Sequence, residues 1–374
     1  MPLPPFSPAQ APAPAAAEAL PAEARILVVR FSSLGDVVKC TALPRLIKRA
    51  YPRAHLTFVT AADYLELIRD NPHIDRPLGF PRREGLGGLL RLSHELKRGG
   101  VDLVVDVHRS LRSRMLTALL PAPRVPYSKR TLQRWLLIQF RVNTYRRAVG
   151  KEEDFLAGLR RYGVDPDGRG TEVFLARTLA DEAMRRRLAP EWERYNAWRA
   201  GGLPVLGVAP VAAWELKRWP TESFRALMAG FIRATGGGVL VFGGPKDSDA
   251  QRLAGDFGGQ AVSLVGKTSH LESACFASLA DLVVSNDTAM THLTEAAGRD
   301  VLTIYGPTSR ELGYYPTRPG SIVVERDLPC RPCTRMGEGR CTHPLQRACL
   351  VGITPDQVLA RVLAKLEQQR PGAM

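Results

Sequence analysis

Short runs of valine, isoleucine and leucine, each followed by a longer amphipathic stretch, recur along the chain and limit what it can fold into. Seven runs read as strands: Ile26–Arg30, His55–Thr60, Leu103–Val107, Val205–Ala209, Val239–Phe242, Leu282–Ser285 and Val301–Tyr305. They are apolar at successive rather than alternate positions, the pattern of a parallel sheet covered by helices on both faces. The stretches between them, such as Val37–Tyr51, Glu222–Thr235, Ala250–Phe257 and Thr288–Ala297, suit crossover helices. This alternation predicts a doubly wound α/β architecture.

The rhythm runs twice. It holds from Arg25 to Arg124, gives way to a helix-rich region ending at Arg199, and restarts near Val205 after Ala200-Gly201-Gly202-Leu203-Pro204. At 374 residues the chain has room for two domains. The expected layout is a Pro/Ala-rich tail over 1–24, disordered or polyproline-like, and Rossmann-like domains over 25–200 and 205–354. A helix and tail over 355–374 complete it. Two such halves would hold a ligand between the carboxyl ends of their strands.

Three strand-to-helix turns carry chemistry-bearing residues. In Arg30-Phe31-Ser32-Ser33-Leu34-Gly35-Asp36, the acid stands near the start of a helix, whose positive end favours its ionised form. That suits a general base, and it equally suits a cap for a helix beginning at Val37. In Ser285-Asn286-Asp287-Thr288-Ala289-Met290-Thr291-His292, Asp287 and Thr288 offer groups to sugar hydroxyls or phosphate beside the free N–H groups of a new helix. His292 follows Thr288 by one turn, so both could face one ligand; a packed surface histidine is the plainer reading. Lys217, in Trp214-Glu215-Leu216-Lys217-Arg218-Trp219-Pro220, could neutralise a diphosphate or simply be solvated. Phe242-Gly243-Gly244-Pro245-Lys246-Asp247 is either a ligand-approach turn, with Asp247 accepting from a ribose or base, or an ordinary tight turn.

Net charge is +15, and residues 82–161 hold 18 Lys/Arg against 7 Asp/Glu. Such a concentration fits an anionic partner or a solvated basic face. No DNA- or RNA-binding signature accompanies it, so nucleic acid is not expected. No window reaches the ~18 unbroken apolar residues of a membrane-spanning helix. The first residues have neither the basic start nor the apolar stretch of a signal peptide. Cytoplasmic placement follows as the expectation. Cys330-x-x-Cys333, Cys341 and Cys349 lack a second C-x-x-C, so packed free thiols rank ahead of structural zinc and of a disulfide.

Six segments in order, RFSSLGDVVKCTALPRL, DVHRSLRSR, WELKRWPTESF, FGGPKD, SNDTAMTHLTEAAG with IYGPT, and CRPC…C…C, resemble glycosyltransferase family 9, the ADP-heptose:lipopolysaccharide heptosyltransferases. The resemblance implies a GT-B fold, two Rossmann-like domains facing across a cleft, with acceptor on the first and nucleotide sugar on the second. It implies inversion at the anomeric carbon, with Asp36 as base and Lys217 on the diphosphate. Asp247, Asp287, Thr288, Ala289 and His292 fall at donor-binding positions. Ala289 and Val211 stand where the family has glycine, which keeps open a non-catalytic nucleotide-sugar- or lipid-binding descendant as the alternative.

No cofactor is expected. Of two Asp-x-Asp triplets that could suggest a metal, Asp165-Pro166-Asp167 reads as a turn and Asp247-Ser248-Asp249 as a helix start. A phosphorylated glycolipid acceptor would explain the basic cluster, with Arg109 and Arg112 as acceptor contacts. Lys129–Arg147 interleaves apolar and basic residues, as in a helix lying on the inner membrane leaflet or in one packed on the first domain with its charges outside, the latter the plainer reading for the apolar residues.

Overall fold

A computed structural model describes residues 18–369. Contacts divide the chain into two compact units, one running to Thr131 and resuming over Val149–Phe174, the other comprising Leu132–Ala148 and everything from Leu175. Residues 1–17 of the expected tail lie outside the described residues. From Glu18 onward the chain is held: the Glu18 N–H donates to the Arg161 carbonyl at 2.8 Å, and Ala24 is fully buried.

The first unit is built on four parallel strands, β1 (Arg25–Val29), β2 (His55–Ala61), β3 (Arg76–Phe80) and β4 (Leu103–Asp106), in the order β3-β2-β1-β4. Leu27, Val29, Val59 and Val104 share one apolar cluster with Phe31, Leu89, Leu96 and Leu116 from the covering segments. The first expected crossover helix is two, Leu34–Lys39 and Ala42–Ala50, broken at Cys40 and Thr41.

Six parallel strands form the second unit: β5 (Val205–Ala209), β6 (Gly238–Val241), β7 (Ala261–Ser263), β8 (Leu282–Asn286), β9 (Val301–Tyr305) and β10 (Ile322–Glu325). Their order is β10-β9-β8-β5-β6-β7. Successive side chains go to opposite faces, and the two faces have separate cores. Leu282 and Val284 join Leu206, Leu302 and Phe231 on one side, whereas Val283 joins Val205, Val301 and Phe276 on the other. The helix Pro355–Gln368 packs Val358 and Val362 into the first of these cores, beside the helix Thr221–Thr235.

The Gly201-Gly202 turn, after which the strand rhythm restarts, joins the helix Ala189–Ala200 to β5 inside the second unit. Trp198 of that helix lies over Gly238 so closely that a Cβ there would fall 2.1 Å from the indole. A glycine is needed for that approach.

Both sheets reverse direction once. After β1, β2 and β3 have been laid outward, β4 returns to the other side of β1; after β5, β6 and β7, β8 returns to the other side of β5. Such switch points leave a crevice at the carboxyl ends of the flanking strands. Asp36, Arg109 and Arg112 emerge from the first of these places and Lys217, Asp287 and Thr288 from the second, whereas Asp247 follows β6.

Candidate active site

In the first unit, β1 runs into Arg30 and the helix Leu34–Lys39 begins at its N-cap Ser33. Asp36 therefore does not cap a helix starting at Val37: the helix starts three residues earlier, and Asp36 occupies its third position. Its Oδ2 accepts from the Ser33 hydroxyl at 3.0 Å and from the Ser33 N–H at 3.4 Å, the reciprocal half of a capping box. The same oxygen pairs with Arg30 Nη2 at 2.5 Å. Arg30 Nη1 donates to the Val107 carbonyl at 2.7 Å, so one guanidinium spans the ends of β1 and β4. The ring of Phe155 lies 5.5 Å from it.

Opposite stands the turn after β4. Asp106 Oδ1 accepts from the His108 and Arg109 N–H groups at 3.0 and 2.9 Å, which holds Arg109 at φ +47°. Arg109 donates onward to the Tyr127 carbonyl. Burial pushes the His108 imidazole down to about 4, with the cations Arg30, Lys129 and Arg112 adding to the shift and Asp36 opposing it. Arg112 is exposed on the next helix, Leu111–Ala118. A cavity of about 1180 Å³ opens beside this turn, lined among others by Arg109, Arg114, Arg124, Lys129 and Arg130.

In the second unit, Lys217 closes a 3₁₀ turn, Glu215–Lys217, on the segment after β5. Its Nζ lies 2.7 Å from Asp287 Oδ2, at the end of β8, and both side chains are largely buried. The Thr308 hydroxyl, beyond β9, donates to the same oxygen at 2.7 Å. Asn286 fixes the segment that carries the lysine. Its Nδ2 donates to the Pro210 carbonyl at 2.8 Å and its Oδ1 accepts from the Trp219 N–H at 2.9 Å, so the fully buried amide holds both ends.

Thr288 is the N-cap of the helix Ala289–Ala296, its hydroxyl accepting from the Met290 N–H. Ala289 is the first residue of that helix, and His292 sits one turn on, 4% exposed, with its ring 6.1 Å from Tyr314. Lys217, Asp287 and Thr308 are thus in direct contact, and Thr288 and Ala289 begin the helix that follows. Asp247 is the N-cap of a different helix, Ser248–Gly255, where its carboxylate accepts from the Gly244 N–H at 2.7 Å. Asp167 instead takes Arg45 at 2.8 Å. Val211, larger than the glycine expected there, packs against the apolar core of the unit.

All six cysteines are free thiols. Burial, reinforced by Cys349, Cys330 and Cys341, pushes the Cys333 thiol up to about 11, so it is protonated at neutral pH. Among the described residues no group of three or more His, Cys, Asp or Glu is placed to hold a metal ion.

Four residues at these sites carried no individual role in the sequence reading: Arg30, His108, Asn286 and Thr308. Arg30 left a trace, a charge closing an otherwise apolar strand. Thr308 left only its place after the strand Val301–Tyr305.

The sequence profile of glycosyltransferase family 9 (heptosyltransferase) matches residues 89–340, more than half of the chain. The chain belongs to glycosyltransferase family 9. This family 9 enzyme is 25% identical over 300 residues to the lipooligosaccharide heptosyltransferase 2 of Haemophilus influenzae, covering 76% of this chain and 84% of that protein. Among solved structures it resembles a glycosyl transferase family 9 protein from Veillonella parvula, with TM-score 0.75 at 22% identity over 94% of this chain and all of that one. The ADP-heptose LPS heptosyltransferase II of E. coli follows at TM-score 0.67 and 20% identity, with 92% and 99% covered. The two parallel α/β units are those of the GT-B fold.

Proposed function

We propose that this family 9 glycosyltransferase moves a heptosyl group from ADP-heptose to a hydroxyl of a lipopolysaccharide-type glycolipid, with inversion and without a metal ion. The observation that carries this reading is the Lys217–Asp287–Thr308 contact at the β5/β8 switch point, next to the amino end of the helix Ala289–Ala296. The relatives supply the heptose, the ADP and the lipopolysaccharide: one is a lipooligosaccharide heptosyltransferase and another an ADP-heptose LPS heptosyltransferase.

In the reaction the acceptor oxygen attacks the anomeric carbon, the bond from that carbon to the phosphate oxygen breaks, and ADP leaves. The acceptor proton passes to Asp36, a general-base role worth about 10²–10⁴-fold. Negative charge growing on the leaving diphosphate is met by Lys217, held in place by Asp287, and by the positive end of the helix Ala289–Ala296. Thr288, Ala289, His292 and Asp247 complete the donor side. Arg109 and Arg112, with the basic cavity beside them, take the acceptor's anionic groups.

The reading extends to the membrane. In the helix Thr131–Phe140 only Leu137 is buried; Leu132, Trp135 and Phe140 are exposed, as is Val142 just beyond. Arg141, Arg146 and Arg147 follow them on the surface. Exposed aromatics beside cations suit the headgroup region of an anionic leaflet. No helix among the described residues is long and apolar enough to cross a membrane. Co-sedimentation with vesicles rich in anionic phospholipid, lost in zwitterionic vesicles and weakened in Trp135→Ser, is the expected result.

The test of the chemistry is a transfer assay with ADP-heptose and other nucleotide sugars on truncated lipopolysaccharide, with and without EDTA. EDTA-resistant transfer that Asp36→Ala abolishes is expected. Donor binding without turnover across the whole acceptor panel would support a non-catalytic binding protein instead.

A further inference from the structure

Between β10 and the helix Ala348–Val351 the chain has no regular secondary structure, and this segment carries Cys330, Cys333 and Cys341. None of the proposed roles falls on this segment. Its contacts, however, converge on the two partners of the Lys217–Asp287 pair.

The first contact is Arg331, whose side chain is 7% exposed. Its Nε donates to the Gly306 carbonyl at 2.5 Å and its Nη2 to the Thr308 carbonyl at 2.8 Å, while Glu325 balances its charge at 2.6 Å. The Cys333 N–H adds a bond to the Pro307 carbonyl at 3.0 Å. Three successive carbonyls of the turn that presents Thr308 to Asp287 are thus held from this segment.

The second contact is Gly337, at φ +100° with its N–H donating to the buried Thr334 hydroxyl at 3.1 Å. It lies flat against the lysine turn: a Cβ here would fall 2.8 Å from Trp214 Cβ and 2.9 Å from Lys217 Cγ. Those atoms sit near their own backbones, so they cannot swing aside as a chain tip would. The third is Arg347, at φ +56°, whose guanidinium donates to the Arg218 carbonyl at 3.3 Å, just past the lysine. Its own N–H donates to Cys341 Sγ at 3.2 Å, which ties the contact back to the cysteine segment.

We infer that residues 331–347 form a strap that fixes Lys217 and Asp287 relative to each other, with Gly337 and Arg347 as positioning residues for the lysine. The inference rests on the proposed role of Lys217 at the donor diphosphate. A strap without helix or strand suits this task, since it touches two separate turns at points no single regular element would reach. Loss of positioning by about 1 Å costs up to about 10²-fold in such sites.

Four variants test it: Gly337→Ala, Arg347→Gly, Arg347→Lys and Lys217→Ala, with the first two also made in the Lys217→Ala background. Arg347→Gly removes the guanidinium while glycine keeps the left-handed backbone at no steric cost. Affinity for ADP by calorimetry, kcat and KM for ADP-heptose, and the melting temperature are measured for each. Gly337→Ala and Arg347→Gly should each weaken ADP binding and kcat by roughly tenfold or more, with Arg347→Lys restoring most of the loss. In the Lys217→Ala background neither should add a further loss, because the group they position is gone. Equal losses in both backgrounds, or unchanged ADP binding in both single variants, would overturn the strap. Undiminished ADP binding and turnover in Lys217→Ala alone would instead overturn the role of the lysine, and the strap with it.

Discussion

The two switch points solve one problem with opposite charges. In the first unit an acid, Asp36, is steered by a cation, and Arg30 is itself tied to the carbonyl of Val107 just past the neighbouring strand. In the second a cation, Lys217, is steered by an acid, and Asp287 is itself tied to the hydroxyl of Thr308 beyond the neighbouring strand. A carboxylate suits the proton that an acceptor hydroxyl must lose, and an ammonium suits the charge that a leaving diphosphate gains. What surrounds the pairs differs too. The first unit leans on ion pairs reaching its return segment, Lys39 with Glu152 at 2.7 Å and Arg45 with Asp167 and Glu172 at 2.8 and 2.5 Å. The second adds to the Arg331–Glu325 pair a set of neutral hydrogen bonds centred on the buried Asn286. The two units thus place groups of opposite charge at equivalent switch points and back them with different scaffolds, as the proposed division between base and diphosphate contact requires.

This contrast can be broken from either side. Lys39 has no exposed side-chain surface, and Glu152 little. Removing one partner of a buried pair strands the other, at about 3–5 kcal/mol. Lys39→Ala should lower the unfolding free energy read from urea denaturation by that amount, the largest stability effect proposed. A loss below about 1 kcal/mol, as for a surface pair, would mean that ion pairs do not carry the first unit.

Asn286→Ala is the counterpart in the second unit. It leaves the Trp219 N–H and the Pro210 carbonyl without their partner, a cost of about 1–3 kcal/mol for buried polar groups. It should also weaken ADP binding, since the lysine segment loses its anchor at both ends. Unchanged ADP affinity together with the stability loss would separate scaffold from site in this unit.

The smallest effect concerns His108. Its folded value near 4 lies below the ordinary 6.5, so the unfolded chain binds the proton more readily. The stability owed to the neutral ring is complete above 6.5 and drains away as pH falls towards 4. His108→Gln should flatten the fall in melting temperature over that window. An identical slope in the variant would remove His108 from the electrostatics of the first switch point.

The central strands were readable because helices cover both faces and make their apolar runs continuous. The three strands that were not, β3, β7 and β10, all lie at sheet edges. β3 carries Pro77 and Gly79, tolerated where a strand has a single neighbour; β7 has only three residues. At the sites, residue types at strand-to-helix turns pointed to Asp36, Lys217 and Asp287. Their partners were hidden because pairing depends on which strands lie side by side. Arg30 and Val107 are 77 positions apart, and Asp287 and Thr308 are 21 apart. The Ser33 cap was obscured by the acid after it, which is equally at home as a cap or as the third residue of a capping box. The cysteines drew attention for their own chemistry, whereas the contacts of their segment come from Arg331, Gly337 and Arg347.

The decisive measurement is a crossed one, ADP affinity by calorimetry and the rate of heptosyl transfer, for Asp36→Ala and Lys217→Ala side by side. Asp36→Ala should lose about 10²–10⁴-fold in transfer and bind ADP as the unaltered enzyme does. Lys217→Ala should lose ADP affinity together with transfer. Equal loss of ADP binding in both variants, or transfer surviving in Asp36→Ala, would contradict the division of labour between the two switch points.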